Sequence, residues 1–570
     1  MILQALSSYY DRLKSNPEIP RQGFSREKMH FAIVISESGK VVQILDLRDS
    51  KGKKRIPKTV IVPQGEKKSV NISPNFLWGS TSYVFGTDEK EKPKRTADCH
   101  FAFKKLHKNL LGSCDDTGAK AILAFIAEWD PNEFVKFDQS DEMLSGNILF
   151  QLDGELRFIH ERPAVKRIWI DFFARRKHGN EGICLINGER APIARLHPAI
   201  KGVKNAQSSG AAIVSFNKDS FCSYGKLQNY NAPVCESGSF NYTTALNYLL
   251  RSGSKNRIQI GDATSVFWTE RDSPVEGFFG VVLDPRDSHG DDKELAVFLQ
   301  AIRDGKFPFE YNPDIRFFIL GLSPAAARLS IRFWYASTVK DISVKLGQHF
   351  RDLSIIKSHD NDPEYPGMWR LLKETSIKKS KEEPSPVLAG AIMRSILTGS
   401  PYPKALMSAI IGRIRAEQNI NYLKAAIIKA VLVRKKRILN RGMEVPMALD
   451  KNNKTVAYLL GRLFAVLEKA QKDAVPKANA TIKDRFYGSA SATPRIVFPQ
   501  LLRLAQHHIS KAEYGGVRDK LIEEILCDIT EFPAHLGLDQ QGIFAIGYYQ
   551  QRQDFYKKSN PEQSKNEKES

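Results

Sequence analysis

The chain has 570 residues, of which 42% are hydrophobic and 26% charged, the proportions of a folded protein with two to four domains rather than one core. Lys and Arg outnumber Asp and Glu by 85 to 64, a formal charge of +21 that draws polyanions, nucleic acid foremost. The six cysteines (Cys99, Cys114, Cys184, Cys222, Cys235, Cys527) lack CxxC or CxH spacing, which excludes a zinc finger and a disulfide framework and fits a reducing cytoplasm.

Met1 to Leu13 reads as an amphipathic helix without the basic region or cleavage signal of a leader. No apolar run approaches the roughly 20 residues needed to cross a bilayer, so no membrane partner is expected. Alternation marks Phe31 to Ile35, Val41 to Leu45, Arg257 to Trp268 and Ile315 to Leu320 as strands. Helical periodicity marks Ala97 to Leu111, Ala119 to Glu128 and Thr243 to Leu250, with polar loops at Asp49 to Lys58, Gly65 to Ser73 and Asp88 to Thr96. From Thr375 to Pro386 the composition turns to Ser, Lys, Glu and Pro, as in an exposed linker.

Beyond it the pattern is helical. One stretch runs from Pro386 to Leu439, broken at Gly399-Ser-Pro-Tyr-Pro, and a turn covers Arg441 to Asp450. In Thr455 to Lys472, residues Val456, Leu459, Leu460, Leu463, Leu467 and Ala470 form one apolar stripe. Thr493-Pro494 predicts an N-cap with proline at the first helical position, and helices follow over Val517 to Ile529 and Asp539 to Lys557. The fold class is therefore α+β: a mixed α/β region with several sheets over 1–375, a linker and helical segment over 376–446, and an antiparallel helical bundle over 447–557 that folds by itself. The polar tail 558–570 reads as disordered.

Catalytic motifs are missing. Ser252-Gly-Ser-Lys-Asn lacks P-loop spacing. His359-Asp360 sits in a polar stretch that reads as a solvated loop, and His507-His508 on an amphipathic helix puts one ring toward the core and one toward water. Cys184 with His197 has no orienting third group and reads as a buried thiol. No active site, metal site or cofactor is expected.

Binding features are richer. Gly65 to Trp78 places Lys67, Lys68, Ser69, Asn71 and Asn75 beside an aromatic anchor, where lysine can neutralise phosphate and asparagine can read base edges. The alternative is an ordinary exposed turn with Phe76 and Trp78 packed in the core. Lys201 and Lys204 lie among small residues that let backbone amides approach phosphate. Arg328 and Arg332 alternate along a strand and share a face, although strand arginines usually pair with carboxylates. Arg434 to Arg437 with Arg441 ends a helix, where cations favour the dipole.

Several blocks carry a family resemblance in order from Met1 to Lys557. They are Met1-Ile-Leu-Gln-Ala-Leu, Asn75-Phe-Leu-Trp-Gly-Ser-Thr-Ser-Tyr-Val-Phe-Gly, Ala206-Gln-Ser-Ser-Gly-Ala-Ala-Ile-Val-Ser-Phe-Asn, Tyr242-Thr-Thr-Ala-Leu-Asn-Tyr-Leu-Leu, Ile260-Gly-Asp-Ala-Thr-Ser-Val-Phe-Trp and Gly321-Leu-Ser-Pro-Ala-Ala-Ala-Arg-Leu-Ser-Ile-Arg-Phe-Trp. Together they resemble the CRISPR-associated Csd family, the large subunit of the type I-C surveillance complex, Cascade.

The resemblance implies a non-enzymatic protein in antiviral defence. Guide RNA pairing reads the target, while this subunit recognises the protospacer-adjacent motif in double-stranded DNA, helps open the duplex and holds the displaced strand in the R-loop. Its partners would be guide RNA, target DNA, the backbone and handle-binding Cascade subunits, and a helicase–nuclease that cleaves. A small helical subunit matching the C-terminal region would be translated from an internal start, with Met447 closer to the family pattern than Met443. On this scheme Lys68, Asn71 and Asn75 discriminate the motif, basic loops grip the backbone, and Arg462, Lys469, Arg495 and Lys511 face the displaced strand. The competing expectations are a metal-dependent nuclease and a scaffold that contacts only guide RNA.

Overall fold

The computed structural model describes residues 1–51, 54–65, 72–88, 93–176, 180–273, 275–283, 297, 300, 301, 304, 312–377, 384–440, 444–476 and 478–556. These fall into two compact units, one of Leu6–Pro198 with Val214–Ala245, the other of Met1–Ala5, Ala199–Ile213 and Leu246 onward.

In the first unit the run Phe-Ala-Ile-Val-Ile over Phe31–Ile35 is buried at every position, as a strand covered on both faces must be. It pairs antiparallel with Val41–Asp46 and parallel with Asn147–Leu152, and Trp78–Ser80 completes the four-stranded sheet. Helices Pro93–Leu111, Thr117–Glu128 and Pro163–Ala174 contribute Phe103, Phe125 and Trp169 to one apolar core with Phe31, Ile33 and Phe150. Asp116 starts the second of these helices by accepting from the Ala119 amide at 3.1 Å, and Arg162 Nε braces the same carboxylate at 2.7 Å. The expected loop Asp49 to Lys58 is instead a small hairpin, Asp49–Lys51 with Lys54–Ile56, leading into strand Lys58–Pro63.

The second unit holds an antiparallel meander of Arg257–Ile260, Ala263–Thr269, Arg316–Ala325 and Arg328–Thr338. The single strand expected from Arg257 to Trp268 is thus a hairpin. Its turn contains Gly261 at φ +59°, where an added Cβ would lie 2.8 Å from Pro386 Cα. Helix Val339–Leu353 leaves the last strand with Thr338 as N-cap, its hydroxyl accepting from the Asp341 amide at 3.2 Å. Helices Pro386–Thr398, Lys404–Glu417 and Tyr422–Leu439 follow, the first capped by Ser385 with Pro386 in its first turn and closed by Gly399 at φ +75°.

The last two of these and three further helices, Ile482–Ala490, Pro494–Ile509 and Gly515–Cys527, surround an antiparallel pair, Val456–Ala474 and Leu538–Phe555. That pair meets backbone to backbone: a Cβ on Gly461 would fall 2.1 Å from the Phe544 carbonyl, and one on Gly547 would fall 2.3 Å from that of Tyr458. The apolar core of this unit is continuous, running from Phe267 and Phe317 through Ile342, Ile392 and Ile428 to Leu463 and Phe544. The sheet and the bundle therefore share one interior. Buried Asp352 reinforces the join, accepting from Arg434 Nε at 2.7 Å and from Arg437 Nη1 at 2.7 Å. The fold is α+β as expected. A third local expectation fails: Thr493 makes no side-chain cap, because its hydroxyl donates back to the Ser489 carbonyl at 3.2 Å.

Candidate nucleic-acid interface

Of the loop proposed to read bases, Lys67, Lys68, Ser69 and Asn71 lie outside the described residues. Its downstream base is core. Phe76 stacks between Trp169 and His107, at centroid distances of 5.4 and 5.5 Å. Trp78 donates its indole N–H to the Pro63 carbonyl at 2.8 Å, and the Leu77 amide donates to His107 Nε2 at 2.9 Å. Full burial pushes the His107 imidazole down to about 4, so it is neutral with Nδ1–H donated to the Phe103 carbonyl. Asn75 is only 5% exposed, which takes its side chain off the surface where base reading would need it. Among the described residues its buried Oδ1 finds no hydrogen-bond partner, and a Cβ on Gly65 would sit 2.6 Å from that oxygen. The aromatic anchor is thus the packed-core alternative, and it fixes both ends of the loop's mount.

The second candidate stretch is better displayed. Lys201 and Lys204 are exposed, while the backbone beneath them is tied down. The Lys201 amide donates to Asn247 Oδ1 at 2.8 Å and the Lys204 amide to Thr264 Oγ1 at 3.0 Å. Further along, the Leu329 amide donates to the Ala212 carbonyl at 2.9 Å, so this stretch is laid on the edge strand Arg328–Thr338. The fold therefore brings Lys201, Lys204, Arg328 and Arg332 into one unit, from sequence positions over a hundred residues apart. The two arginines do not share a face by simple alternation. A bulge inserts Arg332 between Ile331 and Phe333, opposite Gly321 and Leu322, and breaks the period of two. Arg332 pairs with Asp262 at 2.7 Å, both half-exposed.

In the bundle the four proposed strand-facing cations divide. Arg495 and Lys511 are exposed, with Arg495 Nε donating to the Phe532 carbonyl at 3.1 Å. Lys469 is partly buried and paired with Asp473, which also accepts from Arg518 at 3.1 Å. Arg462 cannot face a strand in this conformation. It is 4% exposed, its Nε donates to Gln551 Oε1 at 3.1 Å, and burial lowers its pKa. From Ala457 to Glu468 helix Val456–Ala474 is enclosed all round, so over those turns the polar side implied by its stripe does not reach water.

Two basic surfaces escaped the sequence reading. On helix Pro494–Ile509, exposed Arg503 and His507 continue the four-residue row that begins at Arg495 and ends at Lys511. On helix Pro93–Leu111, Lys94, Lys105, Lys108 and Phe101 are exposed, and Lys94 and Arg95 help line an open depression of about 410 Å³ with Ile72, Pro93 and Asp98. Burial and the neighbouring Lys108 charge lower the Lys104 pKa, a sign of crowded cations.

The catalytic look-alikes take ordinary partners. Cys184 Sγ accepts from the Cys235 amide at 3.2 Å, His197 Nδ1 is hydrogen-bonded to the Tyr242 hydroxyl at 2.7 Å, and His359 and Asp360 are exposed. Among the described residues no three of His, Cys, Asp and Glu converge as a metal site, and no helix is long and apolar enough to cross a membrane.

Comparison with known proteins places these features. The family described as CRISPR-associated protein (Cas_Csd1) matches residues 6–556. No curated protein matches the chain. The match spans nearly the whole sequence, and the chain belongs to this family of Cascade-type CRISPR-associated proteins.

Proposed function

We propose that this member of the CRISPR-associated Csd family is the non-catalytic large subunit of a type I-C Cascade, recognising the protospacer-adjacent motif in duplex DNA and stabilising the R-loop. Membership of the family over residues 6–556 carries the reading. The +21 charge and the exposed cations at Lys201, Lys204, Arg495 and Lys511 support it, since each phosphate neutralised releases counterions and holds DNA without reading sequence. Motif discrimination is assigned to Lys67, Lys68, Ser69 and Asn71, which lie outside the described residues, while buried Asn75 is left to the core. The guide RNA supplies target specificity, and a separate helicase–nuclease cuts after the R-loop forms.

The test is an assembled complex prepared with and without this chain, titrated against matched duplexes that differ only in the flanking motif. Motif-dependent binding should vanish when the chain is omitted. Equal target finding without it would leave only a scaffolding role on guide RNA. Incubating the purified chain with duplex and Mg²⁺ or Mn²⁺ should leave the DNA intact; metal-dependent hydrolysis abolished by chelation would replace this reading with a nuclease.

A further inference from the structure

The most exposed aromatic of the first unit stands on a costly backbone. Ser223, Tyr224, Gly225 and Lys226 form a turn closed by the Lys226 amide donating to the Ser223 carbonyl at 3.0 Å. Both central residues have positive φ, +55° at Tyr224 and +69° at Gly225, the arrangement of a type I′ turn. Its first central position favours Asn, Asp or Gly, because a larger side chain meets the backbone in the left-handed region. Tyrosine there is a poor structural choice. It does not repay the strain by packing, since Tyr224 is 98% exposed. Gln228, four residues on, is also left-handed at φ +50°.

The mount is nevertheless held firmly. Asn231 Oδ1 accepts from the Ser223 amide at 2.9 Å, and its Nδ2 donates to the Lys226 and Gln228 carbonyls at 2.9 and 2.8 Å. One side chain thus clamps both ends of the turn. Around it lie exposed Arg195, Lys218 and Lys226 against exposed Asp219, with Arg195 Nη1 donating to Gln228 Oε1 at 3.0 Å. Leu227, three residues on, adds exposed apolar surface. A rigidly carried aromatic among net positive charge matches an unstacked nucleobase with its flanking phosphates. A strained, fully exposed side chain that contributes nothing to the core is a functional outlier.

We propose that Tyr224 is a stacking platform for an unpaired nucleobase, with Arg195, Lys218 and Lys226 receiving the adjoining phosphates. The inference rests on the nucleic-acid reading above and adds a residue and a chemistry to it. The base can come from single-stranded guide RNA or from an opened DNA strand, and both present the same π-face.

Complexes assembled with 5-iodouracil at successive positions of the guide RNA, or of either DNA strand, would be irradiated and the crosslinked peptide sequenced. A crosslink to Tyr224 from the RNA series or from a DNA series supports the proposal and names the source. Affinity is measured in parallel. Tyr224→Asn suits the turn and should raise the melting temperature while weakening binding of the crosslinking strand about tenfold, within the range of base–aromatic stacking. Tyr224→Phe should bind as the parent does. Wild-type affinity in Tyr224→Asn with no crosslink to Tyr224 overturns the proposal, and so does a loss confined to assembly with protein subunits. If the parent complex fails to bind nucleic acid at all, the broader functional reading falls instead.

Discussion

Substituting Lys201 and Lys204 together by Gln is the sharpest probe of the backbone grip. Both side chains are exposed, whereas the hydrogen bonds that hold the loop run from their backbone amides to Asn247 and Thr264. The double variant therefore removes two charges and leaves those two backbone bonds in place. Each phosphate contact contributes about 0.9 to the slope of log affinity against log salt, so the slope should become shallower by about 1.8. Between 50 and 200 mM salt, the parent complex should then lose about twelvefold more affinity than the variant. The loss should be equal on duplexes with and without the motif, because phosphates carry no sequence. Lys469→Gln serves as a control, since that ammonium is committed to Asp473 and its removal should not change the slope. Gel-shift titrations of the assembled complex at four salt concentrations give every number required. An unchanged slope in the double variant, or a loss confined to motif-bearing DNA, would refute the assignment.

Asp352→Ala strips the counterion from Arg434, whose guanidinium is buried, and should cost about 3–5 kcal/mol in urea unfolding. Adding Arg434→Met should restore part of that loss, and a double variant no more stable than the single would contradict the account. Acid should weaken the fold early. Burial holds the His107 and His349 pKa values at about 4 and about 3, below the roughly 6.5 of an unfolded histidine. The unfolded chain then binds protons that the folded chain excludes, so stability is full above about pH 6.5 and falls as pH drops toward 4, by about 3 kcal/mol for His107 alone. A urea midpoint that does not move between pH 7 and 5 would show these rings to be accessible. Silent codon changes upstream of Met447 should abolish a C-terminal product of about 14 kDa, the share of the 64.3 kDa chain that residues 447–570 represent. An unchanged band pattern would remove the internal start.

Elements carried by short-range pattern were legible. The five-residue apolar run became the central strand Phe31–Ile35, and the stripe at Val456 became a bundle helix. What failed needed neighbours. Arg462 looked solvent-facing because a stripe implies a polar side, yet that helix is enclosed by others and the guanidinium found Gln551. Thr493 looked like a cap because threonine precedes proline, but the preceding turn offers the Ser489 carbonyl to its hydroxyl. The hairpin at Gly261 was hidden because its Gly-Asp turn is only two residues long between two runs of strand-forming residues. In the candidate interface, the two basic stretches could be seen separately, while their meeting on one edge strand depends on the Ala212 bridge across the fold. Tyr224 left only a faint signal, a Tyr-Gly pair. Its display follows from the clamp by Asn231, a side chain three to eight residues further along the same loop, which no periodicity records.

The continuous core makes a demand on any product that begins at Met447. Such a fragment keeps the pairing of Val456–Ala474 with Leu538–Phe555, where Gly461 and Gly547 allow close approach. It loses helices Lys404–Glu417 and Tyr422–Leu439, which cover Leu538–Phe555 from the other side and bring Met407 Cε within 3.0 Å of a Cβ position on Gly542. It also loses the Ile356 carbonyl that receives the Tyr549 hydroxyl at 2.6 Å and the Pro446 carbonyl that receives Gln550 Nε2 at 2.8 Å. Apolar surface uncovered in this way drives association at roughly 25 cal/mol per Å². The fragment 447–556 should therefore bind a hydrophobic dye and self-associate on a sizing column, whereas 384–556, which retains the covering helices, should do so less. A dye-silent, monomeric 447–556 would mean that the helices repack without their cover, and the shared interior would then be a convenience of the full chain rather than a requirement of the bundle.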